Sequence, residues 1–238
     1  MLNLNRIKNL FFKYTRFNEN NRYKWIADQA SLISDGAKVL DAGAGACRYS
    51  SLFDHCDYKT QDFCQSTHIQ YRKIDYVCDV SSIPVDNDAF DVVLCAEVLE
   101  HVSEPIKVVQ EFSRILKKNG KLLITAPLGC GVHMQPHIFY GGFTPFWYEK
   151  FLSECGFGNI KVMPNGGFFE QYTQESVRFW NFIFPKSRSR IKKILWFPFE
   201  AISALYFCMI LPIWGHFLRD LDEEKRFTVG YFVEAVKK

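Results

Sequence analysis

"VLDAGAGACRYS", residues Val39 to Ser50, is the stretch on which the fold turns. It begins as a buried-strand run, turns at two glycines, and continues into "RYSSLF", where the pattern predicts the start of a helix. A strand, a glycine turn and a helix in this order cradle a pyrophosphate when the glycines follow G-x-G-x-x-G. The third glycine of that pattern lets helix and strand pack closely behind the phosphates. Counted from Gly43, the second glycine is Gly45, but the third position holds Arg48, so the dinucleotide fingerprint fails. Instead, Asp41 stands two residues before the first glycine, giving D-x-G-x-G. A carboxylate there suits a cofactor with a cationic end and no phosphates to repel.

Working outward, strands and helices alternate from Lys38 to about Gly166. "YKTQDF", "KIDYVCDV", "FDVVLCAE" and "KLLITAP" read as successive strands. "EPIKVVQEFSRIL" reads as a helix closed by Gly120, and "TPFWYEKFLSECGF" as a helix with Thr144 as N-cap. "GNIKVMPNGG" is a sixth strand and "FTVGYFVEAVKK" a last one. This rhythm predicts an α/β protein, a three-layer sandwich around a mostly parallel seven-stranded sheet. The predicted division is an N-terminal helical segment (1–36), a core (37–167 with 227–238), and an apolar, aromatic-rich helical insertion (168–226) between the sixth and seventh strands.

With these motifs in order, the chain resembles the S-adenosylmethionine-dependent methyltransferases of Rossmann-like fold, from about Ala37 to Phe168 plus the last strand. "VLDAGAGA" is similar to the family's first motif, although the third glycine of D-x-G-x-G-x-G falls on Cys47. The resemblance implies S-adenosyl-L-methionine as cofactor, with Asp41, Gly43 and Gly45 around its methionine part. It implies Asp62 on the two ribose hydroxyls, with Phe63 against the adenine. Asp79 would accept from the adenine amino group, with Val80 beside it, and Cys95 to Glu97 would pass the methionine end. It further implies that the last strand is antiparallel and inserts beside the sixth.

Carboxylates at the ends of successive strands make this chemistry coherent: one takes two vicinal hydroxyls, another an exocyclic N–H. Each acid alone has a plainer reading, as the cap of the next turn. For the acceptor, the loop "PLGCGVHMQPHIFYGGFTPFWY" offers His133, His137 and Tyr140. Either histidine is a candidate general base, or both merely hydrogen-bond the loop. Gly141 and Gly142 are read as a hinge for closure over substrate. His101, in "EVLEHV", reads as a helix-capping residue near the cofactor.

Bulk properties narrow the partners. A formal net charge of +3 over 238 residues gives no electrostatic case for nucleic acid, and none is expected as a partner. Eight cysteines without C-x-x-C or metal-type spacing fit a reduced, cytoplasmic setting, and no metal is expected. The start, "MLNLNRIKNLFFKYTRF", does not read as a signal peptide but as a basic amphipathic helix, packed on the domain or lying on a membrane surface. Ile194 to Leu218 is apolar enough for a span yet interrupted by Pro198, Glu200, Pro212 and His216. A seventh strand beyond it excludes a single crossing, leaving a cap over the acceptor pocket or an in-plane anchor, with Lys186 to Lys193 at the headgroups. The predicted function is methyl transfer to a small or lipid-linked acceptor, as an O-methylation of a sugar, quinone or lipid intermediate. The alternative is a catalytically degenerate, membrane-associated partner protein. A nicotinamide-dependent oxidoreductase is disfavoured by Arg48.

Overall fold

The computed structural model describes residues 16–67, 69–184 and 190–238. The N-terminal amphipathic pattern (Leu4, Ile7, Leu10, Phe11, Tyr14) and the basic run beginning at Lys186 therefore lie outside the described residues or their described side chains. The chain divides into two compact units: Arg22–Pro164 with Gly230–Lys238, and Asn165–Val229 with the residues up to Asn21.

The first unit is a seven-stranded sheet made of β1 (Lys38–Ala42), β2 (Asp57–Asp62), β3 (Tyr76–Val77), β4 (Phe90–Ala96), β5 (Leu116–Pro127), β6 (Phe157–Pro164) and β7 (Gly230–Lys237). Their order is β3-β2-β1-β4-β5-β7-β6. β1 pairs in parallel with β2 and β4, and β4 with β5. β7 runs antiparallel between β5 and β6, as the resemblance implied. The strand order reverses between β1 and β4, which opens a crevice at their C-terminal ends where sheets of this kind bind ligands.

Alternation along each strand sends side chains to two cores. Leu40, Val93, Cys95, Leu122 and Val233 face one side, under helix α2 (Pro105–Ile115) and helix α3 (Pro145–Glu154). Val39, Val92, Leu94, Leu123 and Phe232 face the other, with Trp25, Ile26 and Ala30 of helix α1 (Phe17–Ala30). Trp25 stacks on Phe232 at 5.1 Å. Thr144 caps α3 as its sequence position predicted, its hydroxyl accepting from Trp147 N–H at 3.3 Å.

Three elements differ from expectation. Gly120 does not close the helix before it: α2 ends at Ile115, and Gly120 lies inside β5. The helix predicted from "RYSSLF" is a run of turns and one short 3-10 segment, Ser50–Phe53. Cys47 sits in the left-handed region (φ 52°), which stops a helical run, and the serines that follow compete for backbone partners. The strand predicted over "KIDYVCDV" shrinks to Tyr76–Val77, because Asp75 instead turns back to accept from Thr60 N–H and its hydroxyl.

In the second unit, helix α4 (Phe168–Ile183) is followed by α5 (Arg190–Leu205), a π turn (Tyr206–Ile210) and α6 (Leu211–Leu218). Asp222 accepts from Phe168 N–H at 2.6 Å, placing a carboxylate at the positive end of α4. Gly215 is required where α6 meets α4: a Cβ there would stand 2.3 Å from Thr173 Oγ1 and 3.0 Å from the Phe169 carbonyl oxygen. Trp196–Leu221 is a helical run of 26 residues whose most apolar 18-residue stretch has a mean hydropathy of 1.7, long and apolar enough to cross a membrane. Trp196, Phe197, Ile202, Trp214 and Phe217 are each more than half exposed on it.

Candidate functional site

The glycine turn is built from β2 upward. Gln61, at the penultimate position of β2, accepts Gly43 N–H and Ala44 N–H on its carbonyl, at 2.8 and 2.9 Å. Its side-chain oxygen also faces Gly43 N–H at 3.2 Å, and its amide nitrogen donates to the Cys78 carbonyl at 2.6 Å. Asp62 closes the next link: Oδ2 accepts Gly45 N–H at 2.9 Å and Oδ1 accepts Cys64 N–H at 2.8 Å. Gly43 and Gly45 both lie at positive φ, 75° and 52°. At Gly43 any side chain also collides with Val98, whose Cγ2 is 2.3 Å from where a Cβ would stand.

Beside this turn is a cavity of about 360 Å³, whose walls include Gly43, Asp62, Phe63, Asp79, Val80 and Glu97, six of the nine expected cofactor residues. Asp79 combines the functional and the plainer reading. Its Oδ1 accepts Ser81 N–H and hydroxyl, both at 2.7 Å, while the residue still forms cavity wall. Glu97 is held by two groups: Arg22 of α1 at 2.7 Å and the Thr125 hydroxyl at 3.0 Å. These contacts fix a residue whose φ of 59° turns the chain out of β4. Neither Arg22 nor Gln61 stood out in the sequence, because one lies far upstream in α1 and the other acts mainly through its backbone.

Three expected cofactor residues lie elsewhere. Gly45 does not line the cavity; it secures Asp62 from behind. Cys95 points into the α2 and α3 core, fully buried, because the pleat of β4 sends it to the face opposite Leu94. Asp41 is buried, lies off the cavity wall and accepts from the Tyr58 hydroxyl of β2 at 2.5 Å. Burial pushes the Asp41 carboxyl up to about 7, the Tyr58 hydrogen bond opposing and Asp62 adding to the rise.

Because that value lies above the ordinary 3.8, the folded state holds its proton longer than the unfolded chain. The Asp41 contribution to stability is therefore complete below pH 4 and is lost as pH rises through 7. Asp41→Asn should remove this dependence. Parent and variant should melt alike near pH 4. At pH 8 the variant should be the more stable, by up to about 4 kcal/mol, since a tenfold change in proton affinity corresponds to about 1.36 kcal/mol. Thermal melts across pH 4–8 check it, and parallel curves would show that Asp41 does not titrate in this window.

The loop after β5 separates the three acceptor-side candidates. His137 is on the cavity wall, its ring edge-on to Phe63 at 5.1 Å. His133 is not on that wall; its ring meets His101 at 4.9 Å. Tyr140 also lies off the wall and donates to the Ser103 carbonyl at 3.1 Å, which positions the loop. Gly142 is no hinge: a Cβ there would stand 2.3 Å from the Leu128 backbone, so the glycine permits a close crossing that pins the loop base. His101, expected only to cap a helix, lines the cavity. Burial lowers its pKa, the hydrogen bond to the His137 carbonyl opposing. Its neighbour Glu100 is buried, and burial followed by the charge of Glu97 raises its carboxyl to about 8.

Residues 40–124 match the model of a methyltransferase domain. The fold is that of the Rossmann-like methyltransferases. A ubiquinone biosynthesis O-methyltransferase of Coxiella burnetii is 31% identical over 115 residues, 44% of this chain and 48% of that protein. A demethylmenaquinone methyltransferase of Chlamydia pneumoniae is 26% identical over 144 residues, 55% of this chain and 63% of that one. The chain spans about half the length of the first of these relatives. Among solved structures, a phosphoethanolamine N-methyltransferase of Haemonchus contortus, in complex with S-adenosyl-L-methionine, aligns with a TM-score of 0.54 at 17% identity, over 91% of this chain and 52% of that one. A putative sarcosine dimethylglycine methyltransferase of Galdieria sulphuraria gives 0.54 at 17%, over 91% and 84%. At this identity the structures establish the fold of the methyltransferase domain, and the reaction is a separate question.

Proposed function

We propose that the chain is an S-adenosylmethionine-dependent methyltransferase that methylates an oxygen of a small or lipid-linked acceptor. The observation that carries this reading is the convergence of Asp62, Asp79 and Glu97, from successive strands, on one cavity beside the open Gly43. Asp62 retains lone pairs for ribose hydroxyls after accepting from Gly45 and Cys64. Asp79 keeps its second oxygen for an amino group, Phe63 supplies an apolar face for the adenine, and Glu97 offers negative charge for the sulfonium end.

The transfer is an in-line displacement. The acceptor hydroxyl loses its proton, an oxygen lone pair forms the bond to the methyl carbon, and the carbon–sulfur bond breaks with its electrons left on sulfur. Positioning supplies most of the rate, and His137 on the cavity wall is the group that takes the proton. His137→Ala should leave cofactor affinity unchanged in calorimetric titration and lower turnover by roughly 10²–10⁴-fold, the usual contribution of a positioned base. Candidate acceptors are catechol-type quinone precursors, followed by sugars on lipid carriers. Unchanged turnover of an accepted substrate would remove His137 from the reaction, and no response to S-adenosylmethionine would favour a non-catalytic partner protein.

The second unit supports the lipid-linked half of the reading, with a cytoplasmic protein peripheral at the membrane. Exposed Trp196, Phe197, Trp214 and Phe217 suit an interfacial depth, and the basic residues from Lys186 to Lys193 suit anionic headgroups. Its two ends enter neighbouring strands, Pro164 being the register partner of Tyr231, so the segment leaves and rejoins the sheet at one place. The full chain should float with vesicles containing anionic lipid, and Trp196→Ser with Phe197→Ser and Phe217→Ser should abolish this. Flotation retained by that variant would move the contact away from this segment.

A further inference from the structure

The acceptor end of the cavity borders a second cluster that the reaction as described does not use. Glu100, His101 and His133 each bring one ligand-type atom within 4.8 Å of the others. Glu100 is 1% exposed, and its Oε2 is buried without a hydrogen-bond partner, which is costly for any carboxyl oxygen that has nothing to bind. Its Oε1 lies 3.8 Å from His101 Nε2, beyond hydrogen-bond distance.

Both imidazoles are set up in one sense. His101 Nδ1 is 2.5 Å from the His137 carbonyl oxygen, and His133 Nδ1 is 2.8 Å from the Gly131 carbonyl oxygen. A carbonyl only accepts, so each Nδ1 carries a proton, and the neutral imidazole then presents the lone pair of Nε2. A backbone carbonyl on the far nitrogen is the outer-shell arrangement that orients metal-binding histidines. His101 and His133 stand edge to face, on the 3-10 turn Leu99–His101 and on the loop after β5, respectively. The sequence offered no metal-type spacing because these ligands come from two distant segments.

We infer that Glu100, His101 and His133 form a binding site for a divalent first-row metal ion beside the acceptor pocket. Two imidazoles and one carboxylate select zinc, manganese, iron or cobalt over magnesium and calcium. Metal–ligand distances of about 2.0–2.2 Å bring ligand atoms to about 3–4 Å from one another, so the exposed His133 moves inward on loading. Since His101 lines the cavity, the ion has open positions toward it, where an acceptor hydroxyl oxygen would become a ligand and lose its proton more readily. This last role rests on the proposed O-methylation; the ion site itself does not.

The experiment is calorimetric titration of the untagged full chain with Zn²⁺, Mn²⁺ and Mg²⁺, without cofactor or acceptor. One Zn²⁺ per chain is expected, with Mn²⁺ weaker and Mg²⁺ weaker still. Glu100→Gln and His133→Ala should each lower affinity by about tenfold or more. His133→Ala, on an exposed loop, keeps the test valid if Glu100→Gln fails to fold. Both variants should bind S-adenosylmethionine as the parent does. No saturable binding, or binding that survives in His133→Ala, would overturn the site. Loss of metal binding with cofactor binding intact distinguishes its failure from that of the methyltransferase reading.

Discussion

Gly43→Ala is expected to cost the protein about 1–3 kcal/mol of stability and at least tenfold in S-adenosylmethionine affinity. Two effects act together. The backbone stands at φ 75°, where a Cβ is strained, and that Cβ would lie 2.3 Å from Val98 Cγ2 and 3.1 Å from Cγ1. Val98 is β-branched and stiff at χ1, so it cannot swing aside as the end of a long chain would. It is also a cavity wall, so its displacement reaches the ligand. Gly45→Ala is the control: φ is similarly positive, but its nearest new neighbour is Ile69 Cγ2 at 3.5 Å, an ordinary contact. Thermal melts and calorimetry on the two variants separate backbone strain from steric intrusion. Equal losses in both would remove the Val98 contact as a cause.

Asp62→Ala should weaken S-adenosylmethionine binding by about 1.5–3 kcal/mol, roughly 10- to 150-fold, the worth of a charge-assisted hydrogen-bond pair. The same carboxylate secures Gly45 N–H and Cys64 N–H, so part of the loss arises from a loosened turn. Asp62→Asn tells the parts apart. Its single amide oxygen can keep one of those backbone bonds, but it no longer offers two anionic acceptors to vicinal hydroxyls. Asn should therefore fall between parent and Ala in affinity while melting close to the parent. Unchanged affinity in Ala would take Asp62 out of the site.

Both variants probe residues visible in the sequence, and the reason is local. Gly43 and Asp62 sit at strand ends, where a left-handed turn and a carboxylate leave marks that survive without any knowledge of packing. His137 and His133, four residues apart in one loop, looked interchangeable; the fold places one on the cavity wall and the other against His101. Asp41 looked like a ligand contact because it precedes the glycines. The alternation of β1 puts it on the face shared with Val39, within reach of Tyr58. The buried state of Glu100 was equally illegible, since in sequence it is one more acidic residue at the start of a turn.

By itself, then, the sequence determined the alternating strands and helices, which follow from periodicity, a short-range property of the chain. The closing antiparallel strand and the cofactor class were legible through the resemblance to the methyltransferases that its glycine and carboxylate motifs carry. Tertiary structure alone decided which loop histidine faces the cavity, which acid is buried away from it, and that Arg22 of α1 anchors Glu97. Each of these depends on which face of a strand meets which distant segment, and that is settled only when the two cores pack.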